Sequence, residues 1–190
     1  LVSLVREVAA AKSEALGISP YDALLDEFDP GTRSIEIDPL FDGLDDFLPD
    51  FLAAVQDRQN SGPQPEPLSG KFAIADQRAL AERLMHQLGF DFDFGRLDVS
   101  HHPFTGGVPD DVRITTRYYE DNFTQSLMGV LHETGHALYD QGLPAKWRHQ
   151  PVGSARGMVL HESQSLIMEM QACRGADFIA FAAPLMAEAF

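Results

Sequence analysis

The chain has 190 residues, 44% of them hydrophobic, enough for one domain with a sizeable core and too few for two large ones. Twenty-nine acidic residues against fourteen basic ones leave a net charge of -15, which argues against nucleic acid or an anionic membrane as the main partner. The single cysteine, Cys173, excludes an intrachain disulfide, suits a reducing cytoplasm, and reads as a small buried hydrophobe rather than a nucleophile.

The opening "LVSLVREVAAAKSEALG" has apolar residues at helical spacing, from Val2 through Leu4, Val5, Val8 and Ala9 to Leu16, and Gly17 stops it. Its charges at Arg6, Glu7, Lys12 and Glu14 are unlike a signal peptide, and no apolar run in the chain approaches a membrane span. The chain begins with Leu1 and ends at Phe190 within an apolar helical pattern, so it reads as the central part of something longer. A short helix is expected after Ser19, with Pro20 in its first turn, and a long one from Ser34 to about Gln59, with Pro39 and Pro49 as start or kink points. Residues 60–70, "NSGPQPEPLSG", have three prolines, two glycines and no periodicity, and predict an exposed connection within a single unit spanning 1–190. The helix resumes through "ADQRALAERLMHQLG", where His86 reads as a surface histidine.

Alternating, β-branched runs at Leu97 to Ser100 and Val112 to Tyr118, separated by a Pro/Gly/Asp-rich segment, predict a small antiparallel ribbon with a long loop. Asp121 or Asn122 can cap the following helix, Gly142 can end it, and Pro144 prevents its continuation. A last long helix is expected from about Met158 to the end of the chain.

The capped helix carries "HETGH", residues 132–136. At about 100° per residue, His132 and His136 project from nearly the same line one turn apart and can share a metal ion, while Glu133 is turned away and can touch a water instead. Two neutral nitrogens suit zinc, and one carboxylate suits proton transfer. The pattern arises by chance in roughly one of 70 such sequences, so its helical context matters. Gly135 costs about 1 kcal/mol of helix propensity, which either a close approach at the site or tight helix packing would explain. A catalytic zinc needs a third ligand. The position six residues past His136 is Gly142, which excludes a third histidine there. Asp140, one turn after His136, is possible but reads more readily as a helix-end carboxylate. "LHESQSLIMEM" offers His161, Glu162 and Glu169, with Glu162 standing where a second helix could pack against the first.

Four segments in order carry a resemblance: His102-Pro103-Phe104, the Asp111-x-Arg113-x-Thr115 run, the metal motif, and His161-Glu162-Ser163. With them the chain resembles the thermostable metallocarboxypeptidase family typified by carboxypeptidase Taq, over nearly its whole length. The resemblance implies a mainly α, zincin-type helical peptidase core with the small ribbon beside the metal helix. It implies metal ligation by His132, His136 and Glu162, with Glu133 as general base. It also implies that His102, Asp111, Arg113, Thr115 and His161 contact substrate. The residues alone read Asp111 and Arg113 as an ion pair at a hairpin end and His102 as a turn residue before proline. The strand "VRITTRY" could pair with an extended peptide through its backbone.

The function implied is removal of C-terminal residues from peptides with a free C-terminus, using one divalent metal ion. Zinc is expected, and cobalt or manganese also suits two nitrogens and a carboxylate. The resemblance also implies a homodimer, while charge and cysteine usage lead us to expect a cytoplasmic protein without nucleic acid or membrane partners. Family members are longer, and segments expected to hold the substrate carboxylate lie outside this chain, so weak or absent activity of these residues alone is expected. An endo- or oligopeptidase of the same chemistry, and a non-catalytic fragment acting as an interaction module, are the alternatives.

Overall fold

A computed structural model describes residues 1–190. The chain divides into two compact units, Leu1–Pro67 and Leu68–Phe190, and the division falls inside the connection expected at 60–70.

The first unit holds α1 (Val2–Leu16), α2 (Pro20–Leu25) and α3 (Ser34–Asn60). Gly17 ends α1 in the left-handed conformation, at φ 68°, which a glycine adopts without a Cβ penalty. Ser19 caps α2, its hydroxyl accepting from the Asp22 amide, and the Asp22 carboxylate accepts from the Ser34 amide, tying the start of α3 to α2. α3 runs through both Pro39 and Pro49 and has no buried residue.

The second unit is built around α5 (Phe123–Gln141), which packs on α4 (Ile74–Leu88), on a three-stranded sheet, and on α6 (Met158–Leu166) with the π-helical segment Ile167–Cys173 that continues it. α7 (Ala176–Ala189) follows. Asn122 caps α5, accepting from the Gln125 amide, and the helix ends before Gly142. Inward residues Leu127, Val130, Leu131, Thr134 and Ala137 recur every three or four positions, which gives α5 a stripe to bury. On one side they meet Met85, Phe90, Leu97, Val112 and Ile114, and on the other Phe72, Leu80, Leu84 and Cys173. Cys173 is fully buried, and desolvation pushes its thiol up to about 11. His86 is exposed. No helix is long and apolar enough to cross a membrane.

The fold is mainly helical with a small sheet, as expected, but the sheet is not a simple antiparallel ribbon. The two alternating runs form β1 (Gly95–Val99) and β3 (Asp111–Thr116), which pair in parallel, Leu97 opposite Ile114. The segment read as a loop supplies β2 (Phe104–Val108), antiparallel to β3, so the order is β1-β3-β2. Gly106 and Gly107 conceal β2 in the sequence, because glycine weakens a strand and commonly marks close backbone approach. Gly107, at φ 118°, shows why one is needed: a Cβ there would lie 2.1 Å from the Asp111 carbonyl oxygen. The turn at Pro109 and Asp110 then folds β2 directly back on β3, and β1 takes β3's other edge. The last helix also differs from expectation. It breaks at Arg174–Gly175, where Gly175 is extended, between the π-helical segment and α7.

Buried polar groups hold α4 to this core. Gln77 donates to the carbonyls of Phe72 and Tyr119, at 2.7 and 2.8 Å, and accepts from the Ser126 hydroxyl at 2.8 Å. Gln77→Leu leaves those groups without their partner and is expected to cost about 2 kcal/mol or more. Urea unfolding followed by circular dichroism checks this; an unchanged midpoint contradicts it.

Candidate metal centre

His132, Glu133 and His136 sit mid-α5 at the edge of its buried stripe, facing α6 and β2. α6 can come this close because Gly135 has no side chain. A Cβ at that position would lie 2.5 Å from the Gln164 carbonyl oxygen and 2.6 Å from the Ser165 Cα. Tight helix packing thus accounts for the glycine between the histidines.

That approach brings Glu162 to both histidines. Nε2 of His132 lies 3.8 Å from Oε1 of Glu162, and Nε2 of His136 lies 3.2 Å from its Oε2. One ligand atom from each residue falls within 4.8 Å of the others.

The far side of each imidazole is also engaged. Nδ1 of His132 donates to Oε2 of Glu169 at 2.9 Å, and Arg174 donates to the other Glu169 oxygen. Burial works to raise the Glu169 pKa, but the hydrogen bonds from Arg174 and His132 outweigh it and lower it. Nδ1 of His136 lies 2.6 Å from Nδ1 of His161, whose Nε2 lies 3.1 Å from Oδ1 of Asp140. In the tautomer in which His161 donates from Nε2 to Asp140 and accepts at Nδ1, His136 donates from Nδ1 and leaves its Nε2 bare. Burial, followed by the neighbouring His161, lowers the His136 pKa and favours the neutral ring that a metal needs.

The donor chemistry fits a cation. When both Nδ1 atoms donate outward, two bare nitrogens and a carboxylate converge on one point. Such a set is mutually repulsive unless a positive ion sits among its members, and two imidazoles plus one carboxylate form a known catalytic zinc donor set.

Glu133 is 7% exposed. The Thr105 hydroxyl, on β2, lies 2.6 Å from Glu133 Oε2 and 3.0 Å from its backbone oxygen. A cavity of about 290 Å³ opens here, lined by Phe104, Thr105, Glu133, His136, Met158 and His161 together with Pro103. No lysine or arginine lines it.

The sequence-predicted substrate residues divide. His161 lines the cavity, whereas His102, Asp111, Arg113 and Thr115 do not. Arg113 and Asp111 form a two-pronged ion pair, with Nε to Oδ1 at 3.0 Å and Nη2 to Oδ2 at 2.6 Å, which holds the Asp111 carboxyl below its ordinary range. Thr115 donates to the His102 carbonyl at 3.1 Å, and Ser100 donates to Thr115 at 2.8 Å. The strand "VRITTRY" contributes β3, which is central and hydrogen-bonded on both edges, so the edge open to a peptide beside the cavity is that of β2.

Thr105 went unnoticed in the sequence, and no local signal marks it. Glu169 and Asp140, both candidate ligands by sequence, instead meet ring nitrogens, Nδ1 of His132 and Nε2 of His161. Glu169 stands seven residues, about two turns, beyond Glu162, a spacing that could have signalled a second carboxylate on the same side.

All 190 residues match the carboxypeptidase Taq (M32) metallopeptidase family. Thermostable carboxypeptidase 1 of Thermus thermophilus is 42% identical over 179 residues, covering 90% of this chain and 34% of that protein. Among solved structures, Trypanosoma cruzi metallocarboxypeptidase 1 superposes with a TM-score of 0.94 at 43% identity, covering all of this chain and 40% of that one. The M32 carboxypeptidase from Deinococcus radiodurans R1 gives 0.87 at 33% identity, over 99% of this chain and 37% of that one. The chain thus spans about a third of the length of the curated relatives it matches.

Proposed function

The chain belongs to the carboxypeptidase Taq (M32) metallopeptidase family, and on that footing we propose that it carries the metal centre of a carboxypeptidase acting on peptides with a free C-terminus. His132, His136 and Glu162 are the metal ligands and Glu133 is the general base. The observation that carries this reading is the convergence of three acceptors on one point, with each imidazole's other nitrogen already engaged. Zinc is the expected ion, with cobalt or manganese able to replace it. Bound there, a divalent ion supplies Lewis acidity that makes a water a nucleophile near neutral pH and polarises a peptide carbonyl.

The chain's own residues supply the rest. Glu133 takes the proton of the attacking water and hands it to the leaving amine. The Thr105 hydroxyl holds one carboxylate oxygen of Glu133, so the base is presented in one orientation. The free edge of β2 offers backbone groups to an extended peptide, a mode indifferent to substrate sequence. Thr115 ties the segment before β2 to β3 through the His102 carbonyl, and Asp111 and Arg113 pair with each other on β3. His161 lines the cavity and lies within hydrogen-bond distance of His136.

The absence of a cation in the cavity lining bears on the alternative. A carboxypeptidase must hold a free carboxylate, and no lysine or arginine here does so. Preference for a free C-terminus therefore rests on the family, and an endo- or oligopeptidase of the same chemistry is the second reading. Glu162 is 46% exposed on its side chain, so water is poorly excluded, and slow cleavage by these 190 residues alone is expected.

Metal titration of the purified protein tests the centre. One equivalent of zinc is expected to bind, and His136→Ala is expected to abolish stoichiometric binding. No binding by the wild type, or equal binding by the variant, removes the proposal.

A further inference from the structure

We propose that Glu169 is a positioning residue for the metal centre: by accepting from Nδ1 of His132 it fixes that ring's tautomer and aims its Nε2 at the point shared with His136 and Glu162. This rests on His132 being a metal ligand.

The case begins with how the Glu169 segment distributes its residues. Between Leu166 and Met170 the chain turns Glu169 inward, to 16% exposure, beside Met168, which packs against the core, while Leu166, Ile167 and Met170 remain exposed. Apolar burial accounts for Met168 but not for an inward carboxylate next to it. The backbone is π-helical from Ile167 to Cys173, although α6 before it is regular. π-Helix is rare and occurs mostly at functional positions, where it re-aims a side chain. Both oxygens of the inward carboxylate are engaged. Oε2 accepts from His132 at 2.9 Å, and Oε1 accepts from Arg174, which immediately follows the π-helical segment.

The Arg174 bond occupies the second carboxylate oxygen while the first faces the ring. An imidazole whose Nδ1 proton is held by a carboxylate must carry its lone pair on Nε2, and the carboxylate makes that nitrogen a better donor to a metal. His136 reaches the same state by a different route, through His161 to Asp140, so the two ligands are supported independently. Loss of Glu169 therefore loosens one ligand and leaves the other in place.

Cobalt(II) and zinc binding to the purified protein test this, with affinity measured against a competing chelator and the cobalt absorption spectrum recorded for each variant. Glu169→Ala is expected to weaken metal binding about 10- to 100-fold and to shift the cobalt bands, while far-ultraviolet circular dichroism stays unchanged. Glu169→Gln keeps an acceptor and the side chain's shape, so it guards against misfolding. Its expected loss is smaller, with a cobalt spectrum between those of wild type and Glu169→Ala. A purely structural role predicts lower thermal stability with unaltered affinity and spectrum in folded Glu169→Gln, and that result overturns the proposal. If the wild type itself binds no metal, the ligand assignment fails and this inference with it. If the wild type binds and both variants bind equally well, only the positioning role fails.

Discussion

Gly135→Ala is expected to destabilise the protein and to weaken its metal binding, although alanine is the better helix former. On propensity alone the substitution would add about 1 kcal/mol of stability. Packing opposes this, because the new Cβ would fall 2.5 Å from the Gln164 carbonyl oxygen and 2.6 Å from the Ser165 Cα, both backbone atoms of α6. Backbone cannot swing aside like the end of a side chain, so α6 must move as a unit. Overpacking of this kind typically costs about 1–3 kcal/mol, which cancels or exceeds the propensity gain. The movement also carries Glu162 away from His136 Nε2, now 3.2 Å from its carboxylate. Misplacement of a ligand is expected to lower metal affinity about tenfold or more. Thermal unfolding and a zinc titration on the same sample check both effects. A more stable variant with wild-type affinity would show that α5 and α6 are not in close register at the metal centre.

Glu162→Ala separates a ligand from a structural residue. The side chain is 46% exposed and makes no hydrogen bond that holds the fold, so the metal-free variant should be as stable as the wild type, within about 0.5 kcal/mol. A small gain is physically reasonable, because a carboxylate facing two bare nitrogens is removed. In contrast, the stabilisation conferred by added zinc should largely vanish. If three protein ligands share a binding free energy on the order of 10 kcal/mol, removing one costs about 3 kcal/mol, or roughly two orders of magnitude in affinity. Differential scanning fluorimetry with and without zinc reads both numbers. An equal zinc-induced shift in wild type and variant contradicts the assignment of Glu162.

The parts of this site legible in the sequence are those governed by a local rule. Helical spacing alone brings His132 and His136 onto one line, and Asn122 and Gly142 bound the helix that carries them. What brings Glu162 to those histidines is not local. It depends on the closeness of α5 and α6, which Gly135 permits but does not specify; the sequence favours Glu162 only as a carboxylate on a second helix that could pack against the first, and the family resemblance agrees. Thr105 was invisible because the strand that presents it reads as a loop, its glycines serving the turn into β3 rather than strand propensity. The parallel pairing of β1 and β3 was hidden for the same reason. Glu169 was noticed, but an unbroken helix gives no hint of the π-helical backbone that carries it toward His132. The π-helical segment, like the break at Gly175, marks where tertiary contacts override a continuous helical pattern.

The central claim is that one carboxylate in this centre moves protons while another holds the ion. Glu133→Gln, compared with the wild type for metal content and for cleavage of a peptide with a free C-terminus, tests it most directly. The substitution keeps shape and the capacity to accept from Thr105, so it leaves the three ligands untouched. The expected result is an unchanged metal content with cleavage reduced by about 100-fold or more. Cleavage at the wild-type rate, or loss of the metal together with activity, would contradict the division of roles between Glu133 and Glu162.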